Sequence, residues 1–443
     1  MFAGGGSRCY RSPMKYNLED RPGPLPLILY GLQWWIVSLP SVIIMGAILI
    51  QANFPGSPAA GAEQIFYMQK LFIIMGLGML AQTLWGHRLP LIPGPSSVLL
   101  IGILMTMPAG PAAVYTALAL SGLLLALLGY SGLLGRIHGF FTPRIVAVIL
   151  LLIAFTLTPS ILRMIFSGSG RAMFELGFTL FFVLALLLLN HVLPGIWKST
   201  TLIWGIILGN LAYTALQGAP LLPPAPPGGA FGFGYGAVTA IVPGLEFDPG
   251  TLLTFLFCAL GLLINELGSI ESIGQMLKAD DMNGRIRRGV GLAGLSNIVS
   301  GLGGVIGPVD FSMSSGVISA TGCAARRTLL PAGLMFAACA FFPQFIAALV
   351  NLPHLLMGAL LLYLMASQMG SGLLLIVKEK ALSDFNGAII VAMPLMVAIL
   401  VSFAPARALA EIPPLLRSIL GNGFIMGVLT VIFLEHVAFR KST

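Results

Sequence analysis

Two glycine- and proline-rich stretches interrupt the apolar runs of this sequence and decide its fold. The first, LPLIPGPSS, occupies residues 89–97, and the second, GLGGVIGP, occupies residues 301–308. Each is followed by only about 12 residues of plausible helix, roughly 18 Å in length, which is too short to cross a bilayer alone. Extended backbone within a membrane is tolerated only where protein or a water-filled cavity supplies hydrogen-bond partners for its N–H and C=O groups. The two stretches therefore predict a pair of broken membrane spans around a central site.

The composition places the rest of the chain in the same environment. Of the 443 residues, 57% are hydrophobic and 9% are charged, and the mean hydropathy is +0.96. Soluble proteins carry about 25% charged residues. This deficit excludes a soluble enzyme, a disordered protein and a nucleic-acid-binding protein. The four cysteines have no metal-ligand spacing, and no motif of a hydrolase, metalloprotease or nucleotide-binding module occurs, so we predict no catalytic residues, no metal site and no organic cofactor.

The apolar runs fall into two sets of seven. They lie at 26–50, 65–86, 89–108, 111–133, 143–165, 173–190 and 199–217, and then at 250–277, 285–303, 304–322, 328–351, 354–377, 386–405 and 413–436. The broken runs take the third place in each set, and matching breaks of this kind are typical of inverted-repeat transporters. We predict an all-α polytopic membrane protein with about fourteen transmembrane segments as 7+7 inverted repeats and short extended breaks in segments 3 and 10. The repeats are 26–218 and 250–437, joined by a Pro/Gly-rich loop at 219–249.

The distribution of basic residues predicts the orientation. If residues 1–25 form a cytoplasmic tail, the cytoplasmic segments contain all but five of the 23 Lys and Arg residues. The exceptions are Lys70, Arg163, Arg171, Arg407 and Arg417. This asymmetry follows the positive-inside rule and accounts for the net charge of +8 without an acidic partner. It predicts a multi-pass protein of the cell inner (cytoplasmic) membrane with both termini in the cytoplasm.

Three carboxylates lie well inside the predicted spans and suggest ion or substrate handling, because buried charge in a membrane is costly. Glu271 and Gln275, four residues apart, share a helix face that suits a planar ligand with N–H and C=O groups. Glu266 lies about 140° around that helix, so we expect it to pair with another helix. Asp310 follows the second break. A structural hydrogen bond is the alternative role for each carboxylate.

Two further features are candidates for ligand contacts. The helices that begin near Ser96 and Ser312 would direct their N-terminal N–H groups at a central site. In the first span, Gln33 needs a polar partner, and the indole of Trp34 could stack on a flat ligand. An anchor at the membrane interface is the alternative for a tryptophan at this position.

These motifs resemble the nucleobase–ascorbate transporter family (nucleobase:cation symporter-2), which includes xanthine, uric acid and uracil permeases. The family's eighth-span motif reads Glu-x-x-Gly-Asp, and residues 271–275 read ESIGQ, so Gln275 replaces the acid. Its tenth-span signature is matched within residues 313–322, MSSGVISATG, at Gly316, Thr321 and Gly322 but not at Met313 and Ser314. The first-span Gln-His pair is present as Gln33-Trp34, and the third-span Gly-Ser-Ser-Phe as 95–98, PSSV.

The resemblance implies where a ligand would bind. In such transporters the eighth-span Glu and the first tenth-span position bind the base, assisted by backbone N–H groups of both half-helices. The corresponding residues here are Glu271 and Met313, and the other candidates are Gln275, Ser314, Ser97, Val98, Gln33 and Trp34. The family fold has a core of spans 1–4 and 8–11 and a gate of spans 5–7 and 12–14, and it commonly forms homodimers.

The preferred hypothesis is a secondary active transporter, not an enzyme, for a small planar solute such as xanthine, uric acid or uracil. Alternating access would be coupled to H⁺ or Na⁺, and the coupling candidates are Glu271, Asp310 and Glu266. An anion transporter or exchanger of the same 7+7 fold, like the sulfate permeases, is the alternative, since two facing half-helix N-termini suit an anion. A transport-inactive sensor or structural membrane subunit is a third hypothesis.

Overall fold

A computed structural model describes residues 14–53, 62–132, 134, 142–166, 171–194, 197, 201–217, 244–311, 314–378, 382, 384–405, 412 and 420–439. Most of the predicted tail, the greater part of the loop at 219–249, and Met313 lie outside these residues.

The first repeat consists of six long helices and one broken unit. These are α1 (Pro24–Asn53), α2 (Ala62–Leu84), β1 (Ile92–Pro95) with α3 (Ser97–Thr106), α4 (Pro111–Ser131), α5 (Pro143–Ile165), α6 (Ala172–Val192) and α7 (Thr201–Gln217). Each bound lies within a few residues of the predicted run, because the Pro, Gly and Ser residues that flank the apolar runs cap or stop the helices. The side chain of Thr142, for example, accepts a bond from Ile145 N–H at the start of α5.

The second repeat follows the same order. It comprises α8 (Pro249–Leu277), α9 (Met282–Leu302), β2 (Pro308–Phe311) with α10 (Ser314–Thr321), α11 (Leu329–Cys339), α12 (Pro343–Val350), α13 (His354–Lys378), α14 (Phe385–Ser402) and α15 (Gly423–Phe433). One turn of π-helix, Leu434–Ala438, extends α15. A broken third unit in each repeat agrees with the prediction.

Eight helices in the described ranges are long and apolar enough to cross a membrane by themselves. Six further units complete the fourteen crossings: the two broken units, α7, α9, α15 and the pair α11–α12. The predicted span at 328–351 is not a continuous helix, because the helices at Arg326–Cys339 and Pro343–Val350 meet at 87°. Pro343 lacks an N–H and disfavours helical backbone at Phe342, so the helix breaks there. The chain is thus an all-α, multi-pass membrane protein.

The two broken units meet at β1 and β2. These strands pair antiparallel, with Ile92 opposite Phe311 and Pro93 opposite Asp310. The prolines of β1 cannot donate to a ladder. Side-chain and flanking bonds supplement the pairing: Ser96 N–H donates to Gly307 C=O at 3.0 Å, and Ile92 N–H donates to Ser314 Oγ at 2.9 Å.

Close backbone approach at this crossing requires glycine. A Cβ placed on Gly94 would lie 2.3 Å from the ring of Phe311 and 3.1 Å from Ser41 Oγ of α1. A larger residue would therefore displace β2 or α1. The same principle joins α4 to α9, where a Cβ on Gly294 would lie 2.2 Å from Ala126 N. Small residues allow such approaches between membrane helices.

Helix contacts divide the elements into two sets. The helices α1, α2 and α4 pack against α8, α9 and α11, and both strands lie among them. The helix α5 packs against α13, α14 and α15, and α6 and α7 pack against α13. Contacts between the sets include α3 with α5, and α8 with α15. At this last contact, Gly261 of α8 faces the ring of Phe424 and the side chain of Val98.

Candidate functional site

The crossing of β1 and β2 places the start of α3 next to α8. Ser96 caps α3, because its side chain accepts a bond from Leu99 N–H at 3.3 Å. The first amides of a helix, here those of Ser97 and Val98, have no acceptor within the helix itself. Both residues are buried. The start of α3 is thus a polar element with partial positive charge inside an apolar protein.

Glu271 and Gln275 lie on the more open face of α8. Gly268 is exposed, and a Cβ placed on it would have no atom within 4 Å. Ser272 and Gln275 are also exposed, whereas Glu271 is half-buried. Gly261 lies two turns before Gly268 on this face and is in contact with Val98. The helix that carries Glu271 therefore contacts the start of α3 at Gly261, about 15 Å along its axis from Glu271.

Glu266 occupies a different environment on the same helix. Its side chain is 0% exposed, its Oε2 accepts a bond from Asp310 N–H at 3.0 Å, and its Oε1 lies 3.4 Å from Gln82 Nε2 of α2. The expectation that Glu266 pairs with another helix is confirmed. One turn further along, Ser269 Oγ donates to Asp310 C=O at 2.8 Å. Two polar side chains of α8, one of them braced by Gln82 of α2, thus hold β2 at Asp310.

A buried histidine extends this group. His87 Nε2 lies 2.9 Å from Asp310 Oδ2, and both side chains are at most 1% exposed. Leu89 N–H donates to His87 Nδ1 at 2.9 Å, so Nδ1 carries no proton. The proton of the ring is therefore on Nε2, the atom that lies next to Asp310 Oδ2. Sequence reasoning missed His87, although a histidine between the end of a span and a break is an unusual place for one of only five in the chain.

The side chains of Glu266 and Asp310 are both buried and line the same small cavity. Two carboxylates that share a buried site do not both stay ionised, so we expect one of the pair to carry a proton. A cavity of about 10 Å³ adjoins the pair and is also lined by Gln82 and Ser296. This size is near the minimum for one water molecule. We call His87, Asp310 and Glu266 the buried triad; it can hold a proton and pass it between its members.

Arginine residues fix the backbone on one side of the triad. Arg285 donates from Nη1 to the carbonyls of His87 and Arg88 at 3.0 and 2.9 Å, and from Nη2 to Asp280 Oδ1 at 2.8 Å. Arg326 Nη1 donates to Thr83 C=O at 2.9 Å. We call this side of the molecule, formed by residues 14–23, 84–91, 277–288 and 322–328, the basic end.

Glu19 completes the arrangement at the basic end. Arg326 donates to both carboxylate oxygens of Glu19 at distances between 2.8 and 3.0 Å. This hydrogen bonding lowers the pKa of Glu19 below its ordinary value, and Arg285 in the same way lowers the pKa of the exposed Asp280. Two backbone hydrogen bonds, from Lys15 N–H to Gly322 C=O and from Ala324 N–H to Tyr16 C=O, hold the segment that contains Glu19 against the end of α10.

The other predicted ligands are not brought to the open face of α8. Trp34 is 1% exposed and donates from Nε1 to Thr328 Oγ1 at 2.8 Å, so its indole belongs to helix packing. The hydroxyl of Ser314 accepts from Ile92 N–H and donates to Phe311 C=O at 2.8 Å, which ties α10 to β1. Gln33 is buried, and within the described chain its Nε2 has no partner. Met313 lies outside the described residues.

Known proteins share this architecture and this sequence pattern. The family model described as Permease family (Xan_ur_permease) matches residues 25–407. Uric acid permease PucJ of Bacillus subtilis is 23% identical over 424 residues, which cover 90% of this chain and 91% of that protein. Nucleobase-ascorbate transporter 12 of Arabidopsis thaliana is 30% identical over 148 residues, which cover 30% of this chain and 20% of that protein.

Solved structures match the fold. The transmembrane domain of BicA, a cyanobacterium bicarbonate transporter, has a TM-score of 0.57 at 16% identity and covers 85% of this chain and 95% of that domain. Murine Solute Carrier 26 family member A9, an anion transporter, has a TM-score of 0.62 at 14% identity, covering 94% of this chain and 69% of that one. Both support the fold of seven plus seven inverted spans. The resemblance identified from the motifs is confirmed, and the protein is a transporter rather than an enzyme. The chain belongs to the Permease family.

Proposed function

We propose that this permease is a secondary active transporter of a planar nucleobase, a purine such as xanthine or uric acid, or uracil. The observation that carries the proposal is the placement of Glu271 on the more open face of α8, the helix that packs against α3. A nucleobase edge presents N–H donors beside C=O acceptors. A carboxylate can accept from the N–H groups, and helix N-terminal amides can donate to the carbonyls. A uric acid permease among the relatives supports this substrate class.

The residues divide into binding and coupling groups in this proposal. Glu271 and Gln275 grip one edge of the base, and the amides of Ser97 and Val98 donate to it. Met313 and Gln33 are further candidates for contact with the base. Trp34 and Ser314 stabilise the surrounding structure through hydrogen bonds to Thr328 and Ile92.

The buried triad is the proposed coupling site, and the coupling ion is H⁺. Both Glu266 oxygens are directed at N–H donors, and Asp310 Oδ2 lies 2.9 Å from His87 Nε2. A sodium ion needs several oxygen ligands in place of these bonds, whereas a proton needs only one hydrogen bond to be rearranged. Asp310 lies on β2 itself. Movement of a proton within the triad would therefore alter the bonds that hold the crossing.

Alternating access requires two bodies that move relative to each other. We assign α1–α4 and α8–α12 to the core and α5–α7 and α13–α15 to the gate, following the two sets of contacts. The open face of α8 then lies where core meets gate. The basic end faces the cytoplasm of the inner membrane, with both termini on that side, since Lys and Arg are retained there. A homodimer, as in the resembling family, is the proposed assembly.

A transport assay on the purified protein tests this function. Proteoliposomes are supplied with labelled xanthine, uric acid or uracil under an inward pH gradient, an inward Na⁺ gradient or neither. We expect uptake of at least one base above protein-free liposomes, and accumulation only with the pH gradient. Accumulation that follows Na⁺ instead would overturn the coupling assignment, and the absence of uptake of all three bases would overturn the substrate class.

Anion transport is the second candidate, because both solved structures named above are of proteins that carry anions. The start of α3 suits an anion. Glu271, Glu266 and Asp310, in contrast, add negative charge to the region, which disfavours an anionic substrate. Bicarbonate and sulfate are therefore included as competitors in the assay. Chloride at the same concentration serves as the control. Inhibition of base uptake by bicarbonate or sulfate, but not by chloride, would favour this alternative.

A further inference from the structure

A second polar cavity lies at the basic end, away from the open face of α8. Its volume is about 290 Å³, near the lower end for small-ligand pockets, about 300 Å³. Three arginines line it together with residues from the ends of α2 and α11: Thr83, Leu84, Arg88, Arg326, Arg327 and Leu330. Neither the proposed transport site nor the buried triad includes these guanidinium groups.

The charges in this cavity are only partly balanced. Glu19 pairs with Arg326, whose remaining Nη1 donates to Thr83 C=O. Arg88 uses its Nε to donate to Leu84 C=O at 3.0 Å, and its two terminal nitrogens have no hydrogen bond to a described residue. The Arg327 guanidinium forms no hydrogen bond or salt bridge with the part of the chain that the structure describes, and Glu19 acts on it only through space. Among the described residues, two guanidinium groups are thus positioned in a concave site without a carboxylate in direct contact with them.

Guanidinium groups recognise phosphate by paired N–H···O bonds, and two of them around one cavity match a single phosphate group better than a carboxylate or a halide. The surroundings are those of a membrane interface. Trp85 is 65% exposed and Leu84 38% exposed at the end of α2, and Leu334, one turn beyond Leu330, is 60% exposed. Exposed Trp is enriched where apolar protein surface meets lipid headgroups, and basic pockets between membrane helices bind anionic headgroups.

We propose that this cavity binds a phosphate group through Arg88 and Arg327, with Arg326 oriented by Glu19 at its side. The apolar residues at its rim favour a phosphate carried by an anionic phospholipid over a free phosphate ion. The site is independent of the transported solute. Its occupancy would reinforce the junction of α2 and α11, since the cavity spans the ends of both helices.

The test compares thermal stability in nanodiscs of phosphatidylcholine alone with nanodiscs that also contain phosphatidylglycerol. A separate arm adds inorganic phosphate to the phosphatidylcholine nanodiscs. For the wild type we expect phosphatidylglycerol to raise the Tm by about 2 °C or more. The double variant R88Q/R327Q should lose this shift. R287Q, which removes an exposed arginine of the same end that donates to Tyr130 C=O outside the cavity, should keep it.

Each outcome bears on the proposal. A shift with phosphatidylglycerol that the double variant loses supports the site with lipid as its source, and a shift with inorganic phosphate that the variant loses supports it with a soluble source. The absence of a shift in both arms, or a shift that the double variant retains, overturns it. If the double variant does not fold, R327Q alone gives the same reading, because the Arg327 guanidinium has no hydrogen bond or salt bridge to lose within the described chain.

Discussion

The two glutamates of α8 lie five residues apart and about 140° around the helix, and their surroundings differ completely. Glu266 is 0% exposed and is held by Asp310 and Gln82, whereas Glu271 is half-buried on a face that opens at Gly268. The comparison teaches that one helix can place one carboxylate in a buried polar cluster and a second on an open face. Under the proposed function the first serves coupling and the second serves ligand binding, and rotation about the helix axis separates the two roles.

The variant Glu271→Gln is expected to have the largest effect on this comparison. It retains the size of the side chain and removes the charge that would accept hydrogen bonds from the base. Hydrogen bonds to a charged group contribute about 1.5–3 kcal/mol, so binding should weaken by about 10- to 150-fold. The measurement is uptake and ligand-induced thermal shift in proteoliposomes or detergent. The control is Glu246→Gln, an exposed glutamate at the opposite end of α8. Near-normal binding by E271Q would place the ligand elsewhere.

The variant Glu266→Gln is expected to separate exchange from accumulation. The amide can still accept from Asp310 N–H but can no longer carry the shared proton. Counterflow exchange of base across the membrane should therefore persist, while accumulation under a pH gradient should fall to the equilibrium level. His87→Phe should follow the same pattern, because it removes the ring N–H that faces Asp310. If E266Q lost exchange and accumulation together, as E271Q should, the division between the two faces would be wrong.

The variant Gly94→Ala tests the crossing of β1 and β2, which packs beside α8. Its Cβ would lie 2.3 Å from the Phe311 ring, next to Asp310, so β2 must shift. Overpacking of this kind costs about 1–3 kcal/mol of stability. We expect a lower Tm and weaker pH-driven accumulation. Gly177→Ala in α6 is the matched control, since its Cβ would have no atom within 4 Å; it should gain about 0.5–1 kcal/mol. Equal Tm changes in both would contradict the account of the crossing.

Much of the fold could be predicted from local sequence. Apolar runs and their Pro and Gly boundaries act over a few residues, so helix bounds were predictable within a few positions along the first repeat, whereas α15 begins ten residues after the predicted start of the last run. The broken units could be predicted for the same reason: prolines at 90, 93 and 95 and the glycines before Pro308 rule out continuous helix. The right angle between α11 and α12 was missed, because the run remains apolar across Pro343 and hydropathy does not report direction.

The site was less predictable, because its contacts join residues distant in sequence. The angle between Glu266 and Glu271 follows from helix geometry alone, and Glu266 does pair across helices. His87 was missed since its partner Asp310 lies over two hundred residues away, a contact that no local pattern indicates. For Trp34 and Ser314 the sequence indicated side chains that can form hydrogen bonds. It did not indicate their partners, which are Thr328 and Ile92.

The smallest expected effect is that of Glu19→Gln at the basic end. Hydrogen bonding from Arg326 lowers the pKa of Glu19, so the folded state favours the ionised group. The resulting stability is present above the ordinary value of 4.5 and is lost as the pH falls through the lowered folded value. Because the side chain is 57% exposed, solvent screening limits the contribution to under about 1 kcal/mol at neutral pH. Thermal unfolding of wild type and E19Q should differ slightly at pH 7 and converge in acid. A difference that instead grows in acid would show that Glu19 acts on the neighbouring bonds of Arg285 and His87 by packing rather than by charge.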